Sequence, residues 1–171
     1  MEFHQLINQR SSIRNFTSRP VEHPKVETLK TSILQAPSSK ANYPCHFYFV
    51  EDSEIINKLS QCKPHGASFI KEAPLIIIVA ADPEISDVWI EDAAIATTYA
   101  MLEATNLGLG SCWVQIRLRN YNQELSSENY IKNLLEINNE LSILSMLAIG
   151  YSANSENNRQ ENLYSSFTHI G

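Results

Sequence analysis

The residues with the clearest binding chemistry lie near the start of the chain, where arginines bracket two hydroxyl side chains. Arg10, Ser11, Ser12 and Arg14 fall within one short segment. Guanidinium groups and hydroxyls can together donate several charge-assisted hydrogen bonds to a phosphate or a carboxylate. The same residues also suit the solvated end of a helix, where arginines stabilise the negative end of the dipole. Their spacing alone leaves both interpretations open.

Two later turns carry further polar groups. Ser38, Ser39 and Asn42 belong to a segment rich in hydroxyl and amide donors, which can wrap a polar ligand or simply turn the chain. His65 stands beside a glycine in a second turn, where its imidazole can face a substrate or only solvent. Neither segment decides between ligand and solvent by itself.

The motifs of self-sufficient catalysts are missing from the sequence. It contains no phosphate-binding P-loop, no H-E-x-x-H or C-x-x-C zinc signature and no G-x-S-x-G nucleophile motif. Gly108 and Gly110 precede a strand, the reverse of the order in a dinucleotide fingerprint. Glu91 and Asp92 begin a helix, where their simpler role is to stabilise its dipole. The sequence therefore shows no self-evident acid, base, nucleophile or metal site.

Composition narrows the choice of partners. The net charge is −6, with 13 basic against 19 acidic residues, which argues against nucleic acid or an anionic membrane as the main partner. Three widely spaced cysteines suit reduced thiols better than a disulfide framework. The chain has no secretory signal pattern and no apolar run of about 18 residues. We expect a cytoplasmic protein with one domain over residues 1–171.

Helices and strands must alternate to position these groups. A nearly all-apolar helix from Asp92 to Asn106, which we expect to be covered on most sides, ends at Gly108 and Gly110, and both glycines can take a positive φ. The continuously apolar run from Pro74 to Ala81 predicts a central strand covered on both faces. Shorter helices are expected at residues 2–9, 25–35, 53–61 and 126–135, and strands at 46–50, 111–116 and 143–149. The polar tail, residues 152–171, is expected to pack on the core or on a partner subunit.

Six short motifs, taken in order, make the chain resemble the FMN-dependent nitroreductase family. They are RSSIRNF, the APSS loop, PLIIIVAA, EDAAIA, LGLGSCWV and AIGYS. The resemblance covers nearly the whole chain, and the KPHG turn and short length indicate a compact subgroup. It implies an α+β fold in which helices flank a mostly antiparallel or mixed sheet of four to five strands. It also implies an intertwined homodimer with its flavins at the subunit interface.

The resemblance gives a reason for the missing catalytic residues. A flavin carries the redox chemistry itself, and the protein binds, orients and tunes it. The implied reaction is ping-pong: NADH or NADPH gives hydride to flavin N5 and leaves, and a nitroaromatic, quinone or related small-molecule acceptor then takes the same place. No side chain is assigned a catalytic role.

The family's flavin-binding positions can be carried over to this chain. Arg10, Ser11 and Ser12 match the phosphate-binding segment, and Arg14 matches the basic residue near the pyrimidine edge of the flavin. Ser38, Ser39 and Asn42 match a loop that lines the flavin. In that loop this chain is one residue shorter than the usual Asn-x-Gln-Pro-Trp and lacks the tryptophan.

Further positions come from the strand after the glycines and from the tail. The family places backbone N–H groups against flavin N5 and O4 near Trp113, Val114 and Gln115. Gln115 and His65 are the candidates for the substrate pocket. A basic residue of the tail returns to the phosphate in the family, and Arg159 is the candidate here, with Asn162 as the alternative alignment.

Two other functions stay open at this point. The chain could bind or process a flavin within the same fold without nitroreductase turnover. It could also be an interaction domain that has lost the cofactor.

Overall fold

The computed structural model describes residues 1–154 and Thr168. Within that part of the chain, helices and strands alternate as the sequence predicts. The helices are α1 (Phe3–Gln9), α2 (His23–Leu34), α3 (Ser53–Leu59), α4 (Trp89–Asn106) and α5 (Ser127–Leu135). The strands are β1 (Cys45–Val50), β2 (Leu75–Ala81), β3 (Gly110–Gln115) and β4 (Ser142–Gly150), and short 3₁₀ helices cover Ser39–Ala41 and Ser68–Glu72.

The four strands form one antiparallel sheet in the order β1-β2-β4-β3. Every residue of β2 is buried, so the prediction of a central strand covered on both faces is confirmed. β1 and β3 are the two edges of the sheet. The α+β fold class with a sheet of four to five strands is therefore confirmed with four antiparallel strands.

Helices cover both faces of the sheet, and the sheet divides the core into two layers. One layer joins α2 and α4 to the sheet through side chains such as Leu29, Ile77 and Leu147. The other joins α3 and α5 through Leu59, Ile78 and Ile131. None of the helices in the described part of the chain combines the length and the apolarity needed to cross a bilayer.

The exit from α4 uses its two glycines for different physical reasons. Gly108 has φ +74° and completes a helix cap, in which Leu109 N–H donates to Ala104 O and Gly108 N–H donates to Thr105 O. Gly110 does not have a positive φ, so that part of the sequence interpretation is wrong. A Cβ on Gly110 would lie 2.7 Å from Ile13 Cγ1. A glycine is thus required at position 110 because the side chain of Ile13 approaches it closely.

Among the described residues, α4 packs on the sheet and against α2 and α1, and part of its surface remains exposed. Its alanines pack on the sheet, whereas Ile95 and Tyr99 remain 39% and 38% exposed. Phe3 of the neighbouring α1 is 67% exposed. The expectation of cover on most sides is therefore not met by the described residues of one chain.

The close approach at Gly110 predicts a measurable cost when a methyl group is added. Gly110→Ala should lower the free energy of unfolding by about 1–3 kcal/mol, because Ile13 must move and its Cβ has no freedom to swing away. Urea denaturation would measure the change. Ser111→Ala is the matched control, since the buried Ser111 hydroxyl has no hydrogen-bond partner among the described residues. Equal stability of the two variants would contradict this account.

Candidate active site

The arginine–serine segment is held against the edge strand β3. After α1 ends at Gln9, the chain runs alongside β3, and Ser12 forms a parallel bridge with Ser111. Ile13 N–H donates to Ser111 O at 2.9 Å. The Ser11 hydroxyl is buried and has no hydrogen-bond partner in the described part of the chain. The segment thus carries its charged side chains to one edge of the sheet.

That edge of β3 presents backbone groups away from the sheet. Ser111 O accepts from Ile13 N–H, and Gln115 O accepts from Lys63 Nζ, each at 2.9 Å. In an antiparallel pair, the backbone groups of alternate residues point to the same side of the strand. The N–H groups of Trp113 and Gln115 therefore point outward, to the edge. These are the backbone groups that a ligand lying along β3 would meet.

Several cations converge on the thiol of Cys112. Burial raises the pKa of this thiol, and Arg14, a hydrogen bond from Ser12, Arg10 and Lys63 act in the opposite direction. Cys112 is 1% exposed, so it lies beneath the cations and remains a neutral thiol at neutral pH. The segment after α1 and the turn that holds Lys63 therefore meet at the same place on β3.

Lys63 is the member of this group that the sequence did not reveal. Its Nζ donates to Gln115 O at 2.9 Å, which fixes the ammonium at the edge of the sheet. Burial lowers the pKa of Lys63, and Arg119 lowers it further, while Cys62 and Cys112 act in the opposite direction. We call Arg10, Arg14 and Lys63 the cation cluster.

The cation cluster has no acidic partner among the described residues. The ion pairs there use other cations, namely Arg19, His23, Lys25, Lys30 and Lys132. Arg14 also lies well beyond the end of α1, so stabilisation of that helix dipole does not account for it. In a chain of net charge −6, this local surplus of positive charge favours the binding of an anion.

The two candidates for the substrate pocket, Gln115 and His65, lie in different surroundings. Gln115 Oε1 accepts from Trp113 Nε1 at 2.9 Å, and Gln115 Nε2 donates to Arg117 O at 3.0 Å. Both ends of the amide are therefore engaged within the chain, where they join β3 to the loop that follows. His65 lies next to the cation cluster in sequence and is exposed.

The loop with Ser38, Ser39 and Asn42 is anchored by a buried acid, Asp92. Asp92 is 3% exposed and accepts from Ser39 N–H and from Ser86 Oγ, each at 2.8 Å. Asn42 Nδ2 donates to the carbonyl oxygen of Ile85 at 3.0 Å. The sequence interpretation gave Asp92 only a role at the helix dipole. The signal in the sequence was the position of this acid at the start of a nearly all-apolar helix, which indicates a buried and more specific contact.

The same loop holds an uncommon backbone conformation. Lys40, Ala41 and Tyr43 have φ values of 52°, 56° and 48°. The left-handed region costs a residue other than glycine roughly 1–2 kcal/mol. Ser38 Oγ accepts from Tyr43 N–H at 2.9 Å, and together with the Asp92 contacts this offsets the strain. Strain of this kind tends to occur at sites that bind ligands.

One chain does not bring this loop to the cation cluster. The loop leads directly into β1, whereas the cation cluster lies along β3, at the opposite edge of the sheet. Three strand spacings separate these edges, which is about 14 Å. The loop and the cation cluster are therefore two separate halves within a single chain. Arg159 and Asn162 lie outside the described residues.

The family of this fold follows from comparison with known proteins. The family model described as "Putative TM nitroreductase" matches residues 2–170. The chain belongs to this nitroreductase family. Membership confirms the resemblance carried by the six motifs and indicates an oxidoreductase of the nitroreductase type.

Relatives of known structure share the fold over almost their whole length. An FMN-dependent nitroreductase from Clostridium difficile R20291 is 37% identical, with a TM-score of 0.91 over 96% of this chain and 98% of that one. A "putative nitroreductase in complex with FMN" from Desulfovibrio desulfuricans is 26% identical, with a TM-score of 0.75 over 96% and 97%. A "Putative NADH dehydrogenase/NAD(P)H nitroreductase" of Archaeoglobus fulgidus is 30% identical and covers 86% of this chain and 83% of that protein.

The role of Asp92 in this nitroreductase fold predicts a selective effect of its removal. Asp92→Ala should lower the free energy of unfolding by about 1–3 kcal/mol, because the partly buried N–H of Ser39 and the buried hydroxyl of Ser86 lose their acceptor. Thermal unfolding would measure the loss, and limited proteolysis should show new cleavage at residues 38–43. Glu91→Ala is the matched control, since Glu91 is exposed on the same helical turn. Equal behaviour of the two variants would show that Asp92 does not anchor the loop.

Proposed function

We propose that this chain is an FMN-dependent NAD(P)H oxidoreductase whose flavin lies along the open edge of β3. The observation that carries the proposal is the cation cluster, which has no acidic partner within residues 1–154 and lies next to outward N–H groups of Trp113 and Gln115. The names of the relatives support it: one is called FMN-dependent, one was solved with FMN, and one is named for NAD(P)H.

The charges available at the site match those of FMN. Its phosphate monoester carries about −1.5 to −2 charges near neutral pH, so it needs more than one cation. Arg10 supplies one guanidinium beside the hydroxyls of Ser11 and Ser12, and the buried Ser11 hydroxyl has no partner among the described residues. Arg14 and Lys63 supply further positive charge close to Cys112. The residues of the segment and of β3 therefore fit the cofactor.

The chain's own groups divide the work of binding and tuning. When bound, FMN supplies the redox chemistry, accepting a hydride at N5 from NAD(P)H and passing the electrons to a nitroaromatic, quinone or related acceptor. Arg10, Ser11 and Ser12 hold the phosphate. Arg14 and Lys63 place positive charge where negative charge accumulates on reduction. The N–H groups of Trp113 and Gln115 orient the ring edge, and Val114 lies between them.

We further propose that the complete site forms in an intertwined homodimer. Ser38, Ser39 and Asn42 lie at the opposite edge of the sheet from the cation cluster, so a flavin that contacts both must take them from two chains. The exposed side of α4, with Ile95 and Tyr99, provides an apolar surface for that association. Closing this surface would also complete the cover of α4 that its composition requires.

The flavin proposal predicts a specific loss of affinity. Arg10→Gln and Arg14→Gln should each raise the Kd for FMN about 10-fold or more, because hydrogen bonds to charged groups contribute about 1.5–3 kcal/mol. Quenching of flavin fluorescence on titration would measure this. Lys71→Gln, which removes an exposed cation from the short helix Ser68–Glu72, is the matched control. A colourless wild-type protein that takes up no FMN would refute the proposal.

Turnover is tested separately from binding, because the shortened Asn42–Cys45 segment favours a second candidate that binds flavin without reacting. When the FMN-loaded protein is mixed with NADH or NADPH under anaerobic conditions in a stopped-flow instrument, the visible absorbance of the bound flavin should bleach rapidly. A nitroaromatic or quinone should then restore it. Stable colour in the presence of both donors would leave only the flavin-binding function.

The dimer proposal predicts a change of mass when the exposed side of α4 is charged. The wild-type chain should scatter light as a dimer at micromolar concentration. Tyr99→Glu should give a monomer with weaker FMN binding, because it places a carboxylate in the apolar contact. A wild-type monomer that binds FMN with full affinity would contradict the two-chain site.

A further inference from the structure

A loop of two arginines follows β3 directly, and the proposed flavin contacts do not use all of its charge. Arg117, Leu118 and Arg119 come immediately after the Gln115 edge. We propose that this loop binds the diphosphate of the nicotinamide dinucleotide donor. The inference rests on the proposed function and adds the part of the site that recognises the donor.

The backbone of this loop is fixed at both ends. Arg117 N–H donates to Leu144 O at 3.0 Å, and Gln115 Nε2 donates to Arg117 O at 3.0 Å. Arg119 N–H donates to Ile116 O at 3.0 Å, and Arg119 O accepts from Ser127 N–H at 2.9 Å. The engaged amide of Gln115 thus positions the loop relative to β3. A loop held in this way can present charge in a defined direction at little cost in entropy.

Leu118 marks the loop as a surface for contact. It has φ 60° and is 77% exposed, although it is a large apolar residue. The left-handed conformation costs roughly 1–2 kcal/mol for a leucine, and no packing of its own side chain compensates for this exposure. The conformation turns the chain sharply between the two arginines. It also leaves an apolar side chain where the ring system of a dinucleotide would pass.

The charges of the loop are not neutralised by ion pairs in the part of the chain that the structure describes. Neither Arg117 nor Arg119 takes part in the ion pairs formed within residues 1–154. Glu124, the first acid that follows the loop in the sequence, forms no ion pair in that range either. Arg119 lies close enough to Lys63 to lower the pKa of that ammonium. The arginines therefore extend the positive potential of the cation cluster beyond β3.

A count of charges separates the loop from the flavin. Arg10, Arg14 and Lys63 can balance an FMN phosphate of about −2 and one further negative charge on the reduced ring. Arg117 and Arg119 remain, and the diphosphate of NADH or NADPH carries two negative charges. The turn closed by Arg119 N–H and Ile116 O keeps the backbone of both arginines within about 7 Å of the end of β3. That spacing suits a donor whose nicotinamide stacks at β3 and whose diphosphate lies one ribose away.

The test uses the FMN-loaded protein and two donors that differ in charge. NADH carries the diphosphate, and 1-benzyl-1,4-dihydronicotinamide carries the same reacting ring without any phosphate. Arg117→Gln and Arg119→Gln should each weaken the binding of NADH about 3–10-fold. The concentration dependence of flavin bleaching measures this change. Both variants should leave the binding of the benzyl compound unchanged. Calorimetric binding of ADP-ribose to the oxidised protein, which involves no turnover, should weaken by the same factor.

Controls keep the outcomes distinct. Lys30→Gln removes a cation over Phe49 of β1, at the far edge of the sheet. It should leave the concentration dependence of bleaching unchanged for both donors. With the wild-type protein, a higher ionic strength of the buffer should weaken the binding of NADH and leave that of the benzyl compound unchanged. This comparison tests the inference without any variant.

Two results would overturn the inference. One is an unchanged NADH dependence in both arginine variants, and the other is an equal loss for the two donors. A rise in KM for 4-nitrobenzoate but not for nitrobenzene, with NADH unaffected, would assign the loop to an anionic acceptor instead. Failure of NADH, NADPH and the benzyl compound alike to bleach the wild-type flavin would remove the proposed function itself, and this inference with it.

Discussion

The pairing of the Arg10–Arg14 segment with the edge of β3 is the contact on which the site depends. The bond between Ile13 N–H and Ser111 O sets the register, and it is possible only because Gly110 offers no Cβ to Ile13. Without this contact the guanidinium groups would belong to a solvated segment after a short helix. With it, they stand over the outward backbone groups of β3, where positive charge and hydrogen-bond donors face the same space.

An exposed edge strand is ordinarily a liability, because its free backbone groups can pair with another chain. Here the Arg10–Arg14 segment covers the edge of β3 at Ser111, and Lys63 covers it at Gln115. The part of the edge between them is surrounded by cations. The ion pairs among the described residues lie elsewhere and use three acids, Glu22, Glu27 and Glu128, on helices α2 and α5 or next to them. This separation of charge lets an acidic protein keep a basic site, and an anionic cofactor at the edge would protect the strand as well.

The sequence predicted the elements because their signals are local: the apolar run of β2, the small-residue helix α4 and the cap at Gly108 each depend on neighbours in the chain. It did not reveal Lys63, whose contact with Gln115 spans 52 positions and depends on where a turn meets a strand. The family resemblance made Gln115 a candidate for the substrate pocket, but the sequence did not give the direction of its amide, which is set by Trp113 and Arg117. Asp92 was visible as an acid, but its partner on a distant loop was not.

The central claim is that one flavin binds between the cation cluster of one chain and the Ser38–Asn42 loop of another. A crystal structure of the protein grown with FMN tests it most directly. The account predicts the phosphate within hydrogen-bond distance of Arg10 and Ser12, the ring edge on the N–H groups of Trp113 and Gln115, and the loop supplied by the partner chain. A flavin that leaves the edge of β3 empty, or one enclosed by a single chain, would contradict it.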